Sequence, residues 1–155
     1  MTNEELMRMA IALAQDNVAR GGGPFGAVVA RGGEVVATGV NRVTADCDPT
    51  AHAEVRAIRA AAARLGTFDL RGCELFSSCE PCPMCLGAVY WARLDRLFYA
   101  STKADAAGAG FDDSFIYDEM PLRPDERSLP SVQMLRDEAA RVFEAWINKD
   151  DRVEY

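Results

Sequence analysis

Two short motifs constrain this chain more than anything else in it: His52-Ala53-Glu54 and, further on, Pro81-Cys82-Pro83-Met84-Cys85. Cys82 and Cys85 stand at i and i+3 at the start of a predicted helix, so their sulfurs share a face. A helix N-terminus favours the thiolate, the form that binds metal. His52 is the only histidine in the chain. Two thiolates and one imidazole make three zinc ligands and leave one position open, the pattern of catalytic rather than structural zinc. Residues two apart do not share a face on a regular helix, so Glu54 is not a fourth ligand beside His52. At a helix start its long side chain still reaches a water at the metal as a proton carrier. Spacing by itself gives an open zinc site with a nearby acid.

The rest of the pattern suggests how such a site is carried. Residues 2–18 read as a helix: Leu6, Met9, Ala10, Leu13, Ala14, Asn17 and Val18 recur at helical spacing, with Asn17 the one polar break in the stripe. Thr2 with Glu5 three residues on is a capping box, and Gly21-Gly22-Gly23-Pro24 ends the helix. Residues 26–31 and 34–40, rich in valine around Gly32-Gly33, predict an antiparallel hairpin. A helix follows over 51–65, started by Asp48-Pro49-Thr50 and stopped by Gly66. Then come a strand over 73–77, a helix over 82–93 and a strand over 96–100. Strands joined through helices imply crossovers, parallel pairing and helices on the sheet faces. Residues 102–131 carry no clear pattern. Residues 132–135 predict a last strand and 138–148 a last helix, and 149–155 form a polar tail.

Composition excludes several function classes. The longest wholly apolar runs are far short of the ~20 residues a membrane-spanning helix needs. The first residues carry acids where a secretion signal carries basic residues, so a cytoplasmic protein is expected. There are 17 Lys and Arg against 24 Asp and Glu, a net charge of −7. Nucleic-acid binding relies on basic surface meeting phosphate, and this chain has no basic excess. Its five cysteines, an odd number, argue against a disulfide framework and for metal or catalytic use. Cys73 reads as core. Cys79 lies close to Cys82, but three ligands are already supplied. Cys47 reads as a loop residue, with pocket lining as the alternative.

The H-x-E and P-C-x-x-C pair is the signature of zinc nucleobase deaminases. The match extends to Gly23-Pro24-Phe25-Gly26-Ala27-Val28, Asn41, Asp48-Pro49-Thr50-Ala51, Ser78-Cys79-Glu80 and Ala88-Val89-Tyr90-Trp91-Ala92-Arg93. With these the chain resembles the cytidine deaminase-like superfamily over nearly its whole length. Within it, residues 109–117, which contain Phe111-Asp112-Asp113, and the closing Glu154-Tyr155 look like the bacterial guanine deaminase branch.

That resemblance implies an α/β fold, a three-layer α/β/α sandwich with a five-stranded mixed sheet, formed by one domain over 1–155. It implies one zinc per chain on His52, Cys82 and Cys85, with Glu54 carrying protons. Asn41 would hydrogen-bond a small-molecule nucleobase. Asp113 and Tyr155 would contact the base from the far side, Asp113 with a proton-handling role. Phe25 and Trp91 would line the pocket, although Trp91 on an amphipathic helix is core as readily as pocket. It also implies a homodimer with exchanged C-terminal segments, each tail of residues 149–155 closing the partner's site. The expected reaction is hydrolytic deamination of a free purine base, guanine first, with no nucleic-acid or membrane partner.

Rival readings stay in view. A cytosine, guanosine or aminotriazine deaminase fits the same motifs. A tRNA adenosine deaminase shares them too, but Arg136, Arg141, Lys149 and Arg152 are outnumbered by Asp137, Glu138, Glu144, Asp150, Asp151 and Glu154, the reverse of a phosphate-gripping end. A C-x-x-C pair alone suits a thiol redox protein. A zinc-stabilised binding module has no use for an uncoordinated acid such as Glu54.

Overall fold

A computed structural model describes all 155 residues, Met1–Tyr155. They divide into two compact units, Met1–Asp113 and Ser114–Tyr155.

The first unit opens with α1 (Asn3–Ala19). Its start is set locally: Thr2 Oγ1 accepts from the Glu5 N–H at 3.2 Å and the Glu5 carboxylate accepts from the Thr2 N–H at 2.7 Å, the expected capping box. Next come β1 (Gly26–Arg31) and β2 (Glu34–Val40). Gly32 and Gly33 join them with φ of +57° and +82°, the left-handed pair that matches the twist of a tight hairpin. The chain continues through α2 (Ala53–Leu65), β3 (Glu74–Cys79), α3 (Pro83–Trp91), β4 (Arg96–Ser101) and α4 (Lys103–Gly108). Gly66, with φ +65°, ends α2 as a left-handed cap.

The strands form one mixed sheet in the order β2-β1-β3-β4. β1 is antiparallel to β2 and β3, while β3 and β4 are parallel, joined through α3. Alternation along the two central strands makes two cores. Val28, Ala30 and Phe76 face Leu6 and Ala10 of α1. Ala27, Val29 and Leu75 face Ala53, Ala57 and Ala61 of α2 and Val89 of α3. The layering is therefore helix, sheet, helix, as expected. α2 presses close on β2 because Gly39 has no side chain: a Cβ there would lie 2.6 Å from the Ala57 nitrogen and strike the Ala53 carbonyl.

The expected sheet of five strands is corrected to four. Residues 132–135 form no strand. Val132 and Met134 are exposed, and Leu135 turns into the left-handed region at φ +52° to start the next helix. A strand exists only by pairing, and a left-handed residue breaks the extended backbone that pairing needs.

The second unit holds α5 (Ser114–Glu119), a single 3-10 turn (Pro124–Glu126) and α6 (Arg136–Ile147), two residues earlier at its start than expected. Residues 149–155 have turn and irregular backbone. No helix is long and apolar enough to cross a membrane.

Candidate zinc site and active site

Both ligand motifs sit at helix starts on the same face of the sheet. Asp48 Oδ1 accepts from the Thr50 N–H at 2.8 Å and from the Thr50 hydroxyl at 2.7 Å, closing a turn before α2. The helix consequently begins at Ala53 rather than 51, and His52 is its N-cap, in extended conformation with its ring not used for capping. This releases His52 from the helical spacing that would have separated it from Glu54. Cys82 is likewise the extended N-cap of α3, with Pro83 fixing the first helical φ. Cys85, three residues on, faces it, the same relation that brings capping-box side chains together.

His52 Nδ1 lies 3.5 Å from Cys82 Sγ and 3.5 Å from Cys85 Sγ. The three donor atoms all fall within 4.8 Å of one another. With Zn–S of ~2.3 Å and Zn–N of ~2.05 Å, a tetrahedral angle separates N and S by ~3.6 Å. The donor set thus fits zinc in chemistry and in spacing, with one of four positions left open.

The electrostatics point the same way. The Cys82 thiol is lowered to about 4, held down by the hydrogen bond from Cys85 and then by His52. The hydrogen bond to Cys82 in turn raises Cys85, with burial adding to the effect. The bond to Cys82 also raises His52.

Glu54 is 5% exposed, and burial raises its carboxyl above the usual range. Its two oxygens are held separately: Ser77 Oγ donates to Oε1 at 3.2 Å and Cys85 Sγ donates to Oε2 at 3.4 Å. Ser77, on β3, is a partner that the sequence pattern did not single out. Its only signal there is that it is one of two adjacent serines, Ser77 and Ser78, both buried in the strand.

Other expected residues fall in the same unit. Asn41 is buried, its Oδ1 accepts from the Val43 N–H at 3.2 Å, and its amide nitrogen is left as a donor. Phe25 meets Phe111 edge to face at 5.0 Å. Asp113 is half-buried; burial raises its carboxyl, and the Cys82 thiolate adds to the shift. Asn17, the polar break in the α1 stripe, explains itself here: its Nδ2 donates to the carbonyls of Gly23 and Asn41.

Trp91 is in the same unit, at the far end of α3 from Cys82. It is 69% exposed at the last residue of α3, roughly 13 Å along the axis from Cys82 at 1.5 Å per residue. Tyr155 belongs to the second unit and is 71% exposed. Cys73 is core, as expected. Cys79 donates to the Thr102 carbonyl, and burial pushes its thiol up to about 11. Cys47 is exposed in its loop.

Residues 1–101 match the family described as the cytidine and deoxycytidylate deaminase zinc-binding region. The chain is 51% identical to the guanine deaminase of Bacillus subtilis over 156 residues, which covers 100% of both chains. The crystal structure of that protein matches with a TM-score of 0.97, over 100% of this chain and 99% of that one. A guanine deaminase from Nitrosomonas europaea matches at 39% identity with a TM-score of 0.70, over 72% of this chain and 65% of that one. The tRNA-specific adenosine deaminase of Aquifex aeolicus is 37% identical over 101 residues, 65% of this chain and 67% of that protein. The B. subtilis likeness covers the whole chain, whereas the A. aeolicus likeness covers about two thirds of it. With its histidine and cysteine pair gathered at two helix starts and its first 101 residues matched, this chain belongs to the cytidine and deoxycytidylate deaminase zinc-binding family.

Proposed function

We propose that the chain is a zinc-dependent guanine deaminase, hydrolysing guanine to xanthine and ammonia in purine breakdown. One observation carries the chemistry: a buried acid, Glu54, lies against three converging zinc donors that leave a coordination position open. The choice of guanine is supported by full-length likeness to a guanine deaminase.

His52, Cys82 and Cys85 would hold one zinc per chain. When bound, zinc supplies a Lewis acid that makes water nucleophilic near neutral pH. Glu54 would take a proton from the attacking water and deliver it to a ring nitrogen as the C2–O bond forms, then take the proton of the new C2 hydroxyl and pass it to the amine as the C2–N bond breaks and ammonia leaves. Its burial suits this work, because desolvation raises the carboxyl and so favours its taking up a proton. The free amide nitrogen of Asn41 offers donors to the N7 and O6 acceptors of a purine. Phe25 supplies an apolar wall. Asp113, as an acceptor, suits the N–H groups of the base.

We further propose a homodimer in which C-terminal segments are exchanged and Tyr155 closes the partner's site. Support comes from the apolar surface of a single chain: Leu129, Val132, Val142, Phe143 and Ile147 are all exposed, more than a stable monomer usually shows. Its five unpaired cysteines suit the reducing cytoplasm.

Two experiments test this reading. Cys82→Ala should lose the zinc that the native chain carries at one per chain, and should melt at a lower temperature, because metal binding contributes to folding. Metal analysis showing full zinc in that variant overturns the ligand set. In an ammonia-release screen over guanine, guanosine, cytosine, adenine, ammeline and a tRNA anticodon stem-loop, guanine should lead in kcat/KM by about 100-fold or more, as expected where a site pairs substrate polar groups. Deamination of the tRNA with guanine untouched overturns the substrate.

A further inference from the structure

We infer that Asn17 is a positioning residue for base recognition: from the end of α1 its amide locks together the two segments that carry Phe25 and Asn41. The inference rests on the reading of Asn41 as a base contact.

Asn17 occupies a helix position whose periodicity asks for an apolar side chain, alongside Leu6, Ala10 and Ala14. It is instead a polar residue only 9% exposed. A buried amide costs stability unless its hydrogens are paired. Both are: Nδ2 donates to Gly23 O at 2.8 Å and to Asn41 O at 2.9 Å. The Asn41 N–H donates to Phe25 O at 3.2 Å, and the Gly22 N–H donates to the Asn17 backbone carbonyl at 2.8 Å. These bonds close a ring from Asn17 through Gly23 and Phe25 to Asn41 and back. The Asn17 amide is the side-chain tie between the 22–25 segment and position 41. Asn41 Oδ1 is itself occupied by the Val43 N–H, so the direction of its free nitrogen follows from where its backbone is held. None of the Asn17 hydrogen bonds reaches His52, Glu54 or the cysteines, so the strut serves binding rather than chemistry.

Gly22 completes the device. A Cβ there would lie 2.7 Å from Asn17 Cγ and strike its Nδ2. Gly22 is not in the left-handed region, so backbone strain does not explain its lack of a side chain. The space is needed by the Asn17 amide.

The test is a double-mutant cycle on the zinc-loaded enzyme with guanine as substrate. Asn17→Ala and Gly22→Ala should each raise KM about tenfold while kcat stays within about threefold, the pattern of lost uniform binding. In the double variant the Gly22→Ala substitution should add nothing, because the shortened side chain at position 17 leaves room for the new Cβ. Additive effects, or an unchanged KM in either single variant, overturn the inference. Leu6→Ala, which removes core packing from the same helix, should lower the melting temperature without moving KM. If it raises KM equally, the Asn17 effect is general loosening of α1 and the inference fails. Should Asn17→Ala prove too unstable to assay, Gly22→Ala decides alone, since it displaces the same amide without replacing any residue of α1. Asn41→Ala separates the two readings. An unchanged KM there sinks Asn41 as a base contact, whereas a raised KM there with normal KM in Asn17→Ala sinks the strut.

Discussion

Glu54→Gln is expected to keep its zinc and its fold and to lose roughly 10²–10⁴-fold in kcat on guanine, the range of a general acid/base. The substitution is nearly isosteric, and the amide oxygen can still accept from Ser77 as Oε1 does at 3.2 Å. What it removes is the ability to take a proton and give it back. Burial already disfavours the charged carboxylate, which is why its carboxyl is raised. A neutral amide in the same 5%-exposed position escapes that desolvation, so the variant should melt no lower than the native protein. The three results belong together: full metal, undiminished stability and collapsed turnover. A zinc-loaded variant turning over near the native rate would mean that another group carries the proton.

Removal of residues 149–155 is the second large effect expected. The segment is polar, irregular and exposed, so composition alone makes it a frayed end. If Tyr155 closes a site and excludes water, its loss should cut kcat/KM by about 100-fold or more while zinc content and melting temperature barely move. Co-expression with the Glu54→Gln chain then tells whose site the tail serves. In a heterodimer with exchanged tails, the shortened chain keeps Glu54 and receives Tyr155 from its partner. Random pairing makes half the dimers mixed with one competent site each, so about a quarter of native activity should return. Full activity in the shortened protein reduces Tyr155 to a loose end. Loss without recovery, in dimers shown to be mixed, assigns each tail to its own subunit.

The sequence by itself determined what is decided within a few residues. The α1 capping box, the Gly32-Gly33 hairpin, the Gly66 stop and the C-x-x-C helix start are local agreements between side chains and nearby backbone groups, and each is found where the spacing put it. The candidate metal donors were legible for the same reason: the chemistry of a zinc site limits which residue types can serve, and the chain has only one histidine. Only the tertiary structure decided the rest. Whether 132–135 forms a strand depends on a pairing partner and on Leu135, whose left-handed turn no periodicity announces. Trp91 shares a helix with the thiols, but helix length, not motif membership, sets how far it stands from them. Ser77 and Asn17 matter through atoms distant in sequence, 23 and 24 residues away at Glu54 and Asn41. A buried polar group declares itself in a sequence as a break in a pattern; its purpose is fixed only when folding brings its hydrogen-bond partner within reach.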